Sequence, residues 1–241
     1  MKLKTTYVFL FIACFCGQTL FSQNESIRAE RFSIGTIFAP QFSNWTYHNS
    51  PKYQTIVDLM DSIYTTKDGF SFGFVADFYL DKRSSVKSGI LTSLYPIETI
   101  VMIANSEDPI IPGGRYSFSG IDYFIDIPLI YKYSLYTNRR VNLFLGTGVV
   151  NKFLFYTSTK SFLYNNGAKE LMNKSGDFPN FFTYFIAASV EAGIEISITE
   201  RINFGFFPSF EYSVLNVKKD REITRKYSQI GLNTSISYKF N

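Results

Sequence analysis

Nine ionisable residues, Asp77, Asp122, Asp126, Lys132, Lys152, Glu191, Glu195, Glu211 and Lys239, fall on the same face of the extended segments this sequence can form, and Lys87 joins them. A mixed-sign set of this kind can pair off into ion pairs or relay protons along a polar path. Inside a narrow, low-dielectric space an unpaired charge is costly, so pairing into a plug of ion pairs and hydrogen bonds is expected. The proton path needs water that a small barrel has little room to admit. Glu191 and Glu195 are four apart, hence on one face of a strand and roughly 13 Å apart along it. That is too far for shared acid–base work, so each needs a partner on a neighbouring strand.

The single histidine, His48, lies in a polar stretch near Ser50, Asp58 and Asp61. A general base must reach its partners by hydrogen bonds, and one histidine in a long loop reads as a solvated side chain. No catalytic, metal or cofactor-binding residue is assigned. The competing reading is a rim enzyme acting on lipid or peptide through His48. In the same stretch Ile56, Leu59, Met60 and Ile63 recur at i, i+3, i+4 and i+7, which predicts a short amphipathic helix. Its apolar side would lie across a barrel mouth as a lid, or dock another envelope protein or the lipid interface.

The elements that must position these residues follow from alternation. In "FIAASVEAGIEISIT", Ile186, Ala188, Val190, Ala192, Ile194, Ile196 and Ile198 occupy one side of an extended chain, while Ser189, Glu191, Gly193 and Glu195 occupy the other. Eight segments alternate in this way: Arg31 to Tyr47, Gly69 to Leu80, Ser85 to Ile97, Ser119 to Tyr136, Val141 to Tyr156, Thr183 to Ile198, Ile202 to Val217 and Tyr227 to Phe240. Their connections alternate too. Tight turns at Asp81–Ser84, Thr137–Arg140 and Thr199–Arg201 follow long connections at 46–68, 98–118 and 157–182, and Ala168 to Asn173 in the last of these reads as a short helix. Pro40, Pro96, Pro128 and Pro208 fall within strands, where bulges or strand ends are expected because each lacks a ladder donor.

Composition favours lipid over a packed core as the neighbour of the apolar face. Charged residues make up 18% of the 241, against about 25% in typical soluble domains. The polar face is rich in Gly, Ser, Thr and Asn, including Gly35, Gly73, Gly146, Gly148, Gly193, Gly205 and Gly231. Small residues suit the crowded interior of an eight-stranded barrel, whereas a surface in bulk water would be rich in Lys and Glu. Short turns at one end and long loops at the other are the habit of outer-membrane barrels, as are aromatic girdles at the interfaces.

Lys2 and Lys4 precede the apolar run 7–15, the layout of a secretory signal peptide ending near Ser22 or Gln23. The expected organisation is a signal peptide over 1–22, a short periplasmic tail over 23–30 and a barrel over 31–241. Cys14 and Cys16 lie in the signal, so the mature chain has no thiol, and loss of Lys2 and Lys4 takes the formal charge from +4 to +2. That weak charge is no nucleic-acid signature.

"DYFIDIPLIYKYSLYTNRRVNLFLGTGVV", residues 122 to 150, is similar to the PorT-like outer-membrane β-barrel family of Bacteroidota-type bacteria. Ile127-Pro128-Leu129, Lys132-Tyr133 and the Gly146-Thr147-Gly148 stretch carry the resemblance, with the final Tyr238-Lys239-Phe240. The resemblance implies a membrane barrel, and one branch of the family resembles components of a protein secretion machine. The reading is therefore an all-β, eight-stranded antiparallel up-and-down transmembrane barrel in the outer membrane. It is expected to be non-enzymatic and without cofactor, with outer-membrane lipid and an envelope or secretion-machinery protein as partners and no nucleic acid. A soluble secreted barrel holding an apolar ligand is the remaining alternative.

Overall fold

The computed structural model describes residues 32–49, 64–66, 68–103, 114–165, 168–177, 183–216 and 223–240. These hold β1 (Phe32–Asn49), β2 (Tyr64–Thr66), β3 (Asp68–Tyr79), β4 (Ser84–Thr99), β5 (Met102–Ile103), β6 (Arg115–Thr137), β7 (Val141–Asn165), β8 (Ala168–Asp177), β9 (Thr183–Ser197), β10 (Ile202–Asn216) and β11 (Ile223–Phe240). Eight of them, β1, β3, β4, β6, β7, β9, β10 and β11, pair antiparallel in that order, and β11 returns to β1 to close a ring. Closure removes the free edges that an open sheet would expose. Phe32 opposite Phe240 marks the seam, with their rings stacked at 4.7 Å.

The three tight turns are built alike. Asp81 Oδ1 accepts the N–H groups of Arg83 and Ser84 at 2.6 and 2.8 Å. Asn138 Oδ1 does the same for Arg140 and Val141 at 2.8 and 2.7 Å, and Thr199 Oγ1 for Arg201 and Ile202 at 3.3 and 3.0 Å. Short side chains with an oxygen acceptor take up turn N–H groups in this way. The carbonyl of each turn arginine, Arg83, Arg140 and Arg201, then accepts a backbone N–H from the adjacent strand at Ser134, Ser197 and Lys239, 2.7 to 2.8 Å away. Each turn is thereby fastened to its neighbour, and its arginine side chain is left exposed.

The other end is taller than the loop reading expects. A membrane-spanning strand needs about 9–11 residues, yet β6 has 23 and β7 has 25. The connection over 157–182 is largely strand: β7 pairs β9 from Val141 to Leu154, then exchanges that partner for β8 from Thr157 to Asn165. The exchange is marked by a bulge, since Tyr123 faces Tyr156 and Phe124 faces Leu154, leaving Phe155 as the extra residue. The helix expected over Ala168 to Asn173 is β8 instead. Its residues are good helix formers, but hydrogen bonding to the waiting edge of β7 overrides propensity.

The bulges expected at prolines are elsewhere. Register runs without a shift through Pro40, Pro128 and Pro208, and at each of them one of the two ladders simply lacks two pairs. Pro96 sits where β4 exchanges β3 for β2. A missing N–H is thus absorbed by local loss of ladder, without a change of register.

The alternation is inside-out. Phe74, Ile230 and Phe210 are 68%, 59% and 44% exposed on the outer wall, whereas Lys152 is fully buried and Asp126 only 2% exposed inside. Soluble monomers rarely show contiguous apolar surface of this extent. Hydrocarbon is the medium that suits it.

Candidate functional site: ion pairs and aromatic rings in the lumen

Counting from the turns, the lumen begins with a layer around Lys132 on β6. Its Nζ lies 3.1 Å from Asp77 Oδ1 on β3 and pairs with Glu195 on β9, whose other oxygen accepts from Asn142 Nδ2 at 3.0 Å. The ammonium also stands 4.4 Å from the centroid of Phe144. Above it, Lys87 on β4 meets Glu191 Oε2 at 2.5 Å and lies 4.5 Å from the centroid of Phe207. Phe144 and Phe207 pack with Ile37, Val75 and Leu91 into an apolar layer. Gly146 makes room here: a Cβ on it would fall 2.6 Å from Glu191 Cγ.

The third layer centres on Lys152 of β7. Nζ donates to Asp126 Oδ2 at 2.7 Å and to the Tyr95 hydroxyl at 2.9 Å, and lies 2.9 Å from Glu211 Oε2. The Glu211 contact closes this cluster as an ion pair. Ser93 Oγ donates to the same Asp126 oxygen at 2.5 Å. Ser71 connects Ser93 to Gln41, Gln229 donates to Gln41, and the Tyr95 hydroxyl donates to Gln229 at 2.9 Å. The belt runs through β1, β3, β4, β6, β7, β10 and β11. Each ring strand it joins supplies a partner that no local sequence could supply.

A second apolar layer closes over this belt. Tyr95 from β4, Phe124 from β6, Phe185 from β9 and Tyr227 from β11 meet edge-on or tilted, with centroids 5.2 to 5.6 Å apart. Such arrangements suit the ring quadrupoles. The Tyr227 hydroxyl donates to that of Tyr95 at 2.8 Å.

Seven of the nine residues singled out by charge stand in these layers. Asp122 lies higher, accepting from Thr157 Oγ1 at 3.0 Å, and Lys239 lies at the turn end of β11. Charge alone did not point to Gln41, Gln229, Ser71, Ser93, Tyr95 or Tyr227. Their signal is parity, since each occupies an inward position of its strand. His48 is not in a loop: its backbone belongs to β1 and faces Thr224 of β11, because β1 and β11 stay paired to Asn49. Ile56, Leu59, Met60 and Ile63 lie outside the described residues, as do the signal region and the tail. Among the described residues no three of His, Cys, Asp and Glu converge as metal ligands.

A closed ring of eight antiparallel strands with an apolar exterior, a charged interior and short turns at one end defines a transmembrane β-barrel of the outer membrane. No protein-family model and no curated protein matches the chain. Among solved structures, it is similar to Neisserial surface protein A at 12% identity and a TM-score of 0.44, over 87% of this chain and 97% of that one. Ail of Yersinia pestis matches at 15% identity and a TM-score of 0.37, over 88% and 100%. The outer membrane protease OmpT of Escherichia coli matches at 10% and 0.39, over 90% and 99%. The class rests on this chain's own ring and exterior.

Proposed function

We propose that the protein is a non-enzymatic component of the cell envelope, exported by its signal over 1–22, with a closed lumen and external strands that engage a protein partner. The observation that carries this reading is the packing of Tyr95, Phe124, Phe185 and Tyr227 across the lumen above a fully buried Lys152. A conduit needs a continuous polar path, and these four rings from four strands interrupt it. Lys87, Lys132 and Lys152 are each held by at least one carboxylate, so opening the column would mean separating ion pairs at low dielectric. The height of β6, β7 and β8 supports an external role, because strand beyond the bilayer does nothing for anchoring. The resemblance of 122–150 to PorT-like barrels adds a link to protein secretion as the finer form of this reading.

Conductance across a planar bilayer tests the closed lumen. The wild-type protein is expected to give no steady current, while Tyr95→Ala combined with Phe124→Ala opens a measurable one. A steady wild-type current would remove the reading. In cells, a photoreactive residue at Leu171 is expected to yield a discrete adduct with an envelope protein. Its absence would leave the external strands without the assigned partner.

A further inference from the structure

The outer wall of the barrel carries a groove of about 590 Å³ that crosses β10, β11, β1, β3 and β4 in the half nearest the tight turns. Ligand pockets generally run from roughly 300 to 1,000 Å³. The groove exists because Thr36, Thr92 and Thr234 stand on the outward side among larger neighbours, with Phe38, Phe74 and Phe204 rising around them. Thr234 donates its hydroxyl to the Phe38 carbonyl at 3.1 Å, so that polar group is taken up by the wall itself. What remains is an apolar depression facing hydrocarbon.

Charge stands at its near end. Phe204 is three residues from Arg201, roughly 10 Å along the strand, and the Arg201 guanidinium donates to the Tyr238 hydroxyl at 3.0 Å. On the other flank, the β3–β4 turn exposes Lys82 and Arg83. The nearby carboxylates are Asp81, already engaged with two backbone N–H groups, and exposed Glu200. Arg201 is therefore the cation at the end of the apolar groove, since Lys82 and Arg83 stand seven residues or more along their strands from Ile90 and Phe74.

We propose that this groove binds one anionic phospholipid, with an acyl chain lying over Thr36 and Thr234 and the phosphate held by Arg201 beside the Tyr238 hydroxyl. Both halves of such a molecule are matched: the chain by the phenylalanine walls, and the phosphate by a guanidinium already oriented by its tyrosine. A second copy of the chain fits less well. A two-fold contact through the groove would bring the cationic turns of both copies together, and like charges in juxtaposition oppose association.

Native mass spectrometry of the folded protein, exchanged into phosphatidylglycerol or phosphatidylcholine of the same chain length, tests this. The wild type is expected to retain one phosphatidylglycerol at roughly tenfold preference, the scale set by one or two cations at a membrane surface. Arg201→Gln should erase the preference while retaining either lipid, and Thr36→Phe should retain neither. Leu145→Phe, exposed on the wall of β7, should behave as wild type. The mobility of unboiled protein on a gel confirms that each variant has folded. Equal retention of both lipids by the wild type, or no retained lipid at all, overturns the proposal. So does a wild-type dimer that Thr36→Phe converts to monomer, since the groove would then be an interface between copies.

Discussion

The transmembrane ring and the sheet that rises from it are made of the same strands, yet they follow different rules. On β9 each successive residue changes medium, from Ile194 on the outer wall to Glu195 in the lumen. On β8, by contrast, Lys169, Glu170, Leu171, Met172 and Asn173 are all exposed, apolar and charged alike. The difference lies in the surroundings. A strand between hydrocarbon and a crowded polar lumen must alternate, because a side chain on the wrong face meets the wrong solvent. A strand with water on both faces carries no such demand. What sustains β8 is its ladder to β7 and local contacts such as Lys169, whose Nζ lies 4.1 Å from the centroid of Phe162 and 3.9 Å from Glu98 Oε1. Solvated pairs of that kind contribute little.

The contrast is broken most sharply from inside the ring. Lys152→Met leaves Asp126, Glu211 and the Tyr95 hydroxyl facing one another without their cation. Removing one partner of a buried ion pair generally costs about 3–5 kcal/mol. Urea unfolding of the barrel in lipid vesicles should show a loss of that size, partly recovered by adding Asp126→Asn and Glu211→Gln. Full stability in the single variant would mean that the column does not depend on Lys152.

One step outward, Ile194→Arg sets a charge on the wall beside Leu143 and Phe206, its partners on β7 and β10. On a barrel's lipid face arginine costs about 2–4 kcal/mol at the bilayer midplane and less toward the interface, and because Ile194 stands three residues from the turn end of β9 a loss of about 1–2 kcal/mol is expected. The same unfolding assay should detect it as a lower midpoint. Indifference at Ile194 would contradict the assignment of hydrocarbon to that face.

The legible part of the sequence is the part under this constraint. The ends of the ring strands at the tight turns were readable to within a residue or so, as at Val141 and Ile202, because alternation and turn residues stop together there. Seven of the nine lumen charges fell into the layers because inward parity confines them to one small space. The external ends were not readable. "YTSTKSFLYN" is largely polar and reads as loop, and "AKELMN" is rich in helix formers, yet both pair as strands. The information that makes them strands is the exposed edge of β7, which is a property of the assembled ring. Partner choice within the lumen was hidden for the same reason, since Lys87 and Glu191 meet across 104 positions of sequence. Parity fixes that both point inward, whereas barrel tilt and register decide that they touch.

The gentlest intervention tests the other side of the comparison. Leu171 on β8 is 55% exposed and faces Phe162 across the ladder. Leu171→Arg makes the same kind of change as Ile194→Arg, an arginine replacing an outward aliphatic residue on a strand. If β8 stands in water, the new charge is solvated and global stability should move by no more than about 0.5 kcal/mol, the usual range for a surface substitution. The unfolding midpoint that falls for Ile194→Arg should therefore stay in place for Leu171→Arg. An equal fall at both positions would place β8 against hydrocarbon or a packed partner, and the distinction between the ring and its extension would then have to be given up.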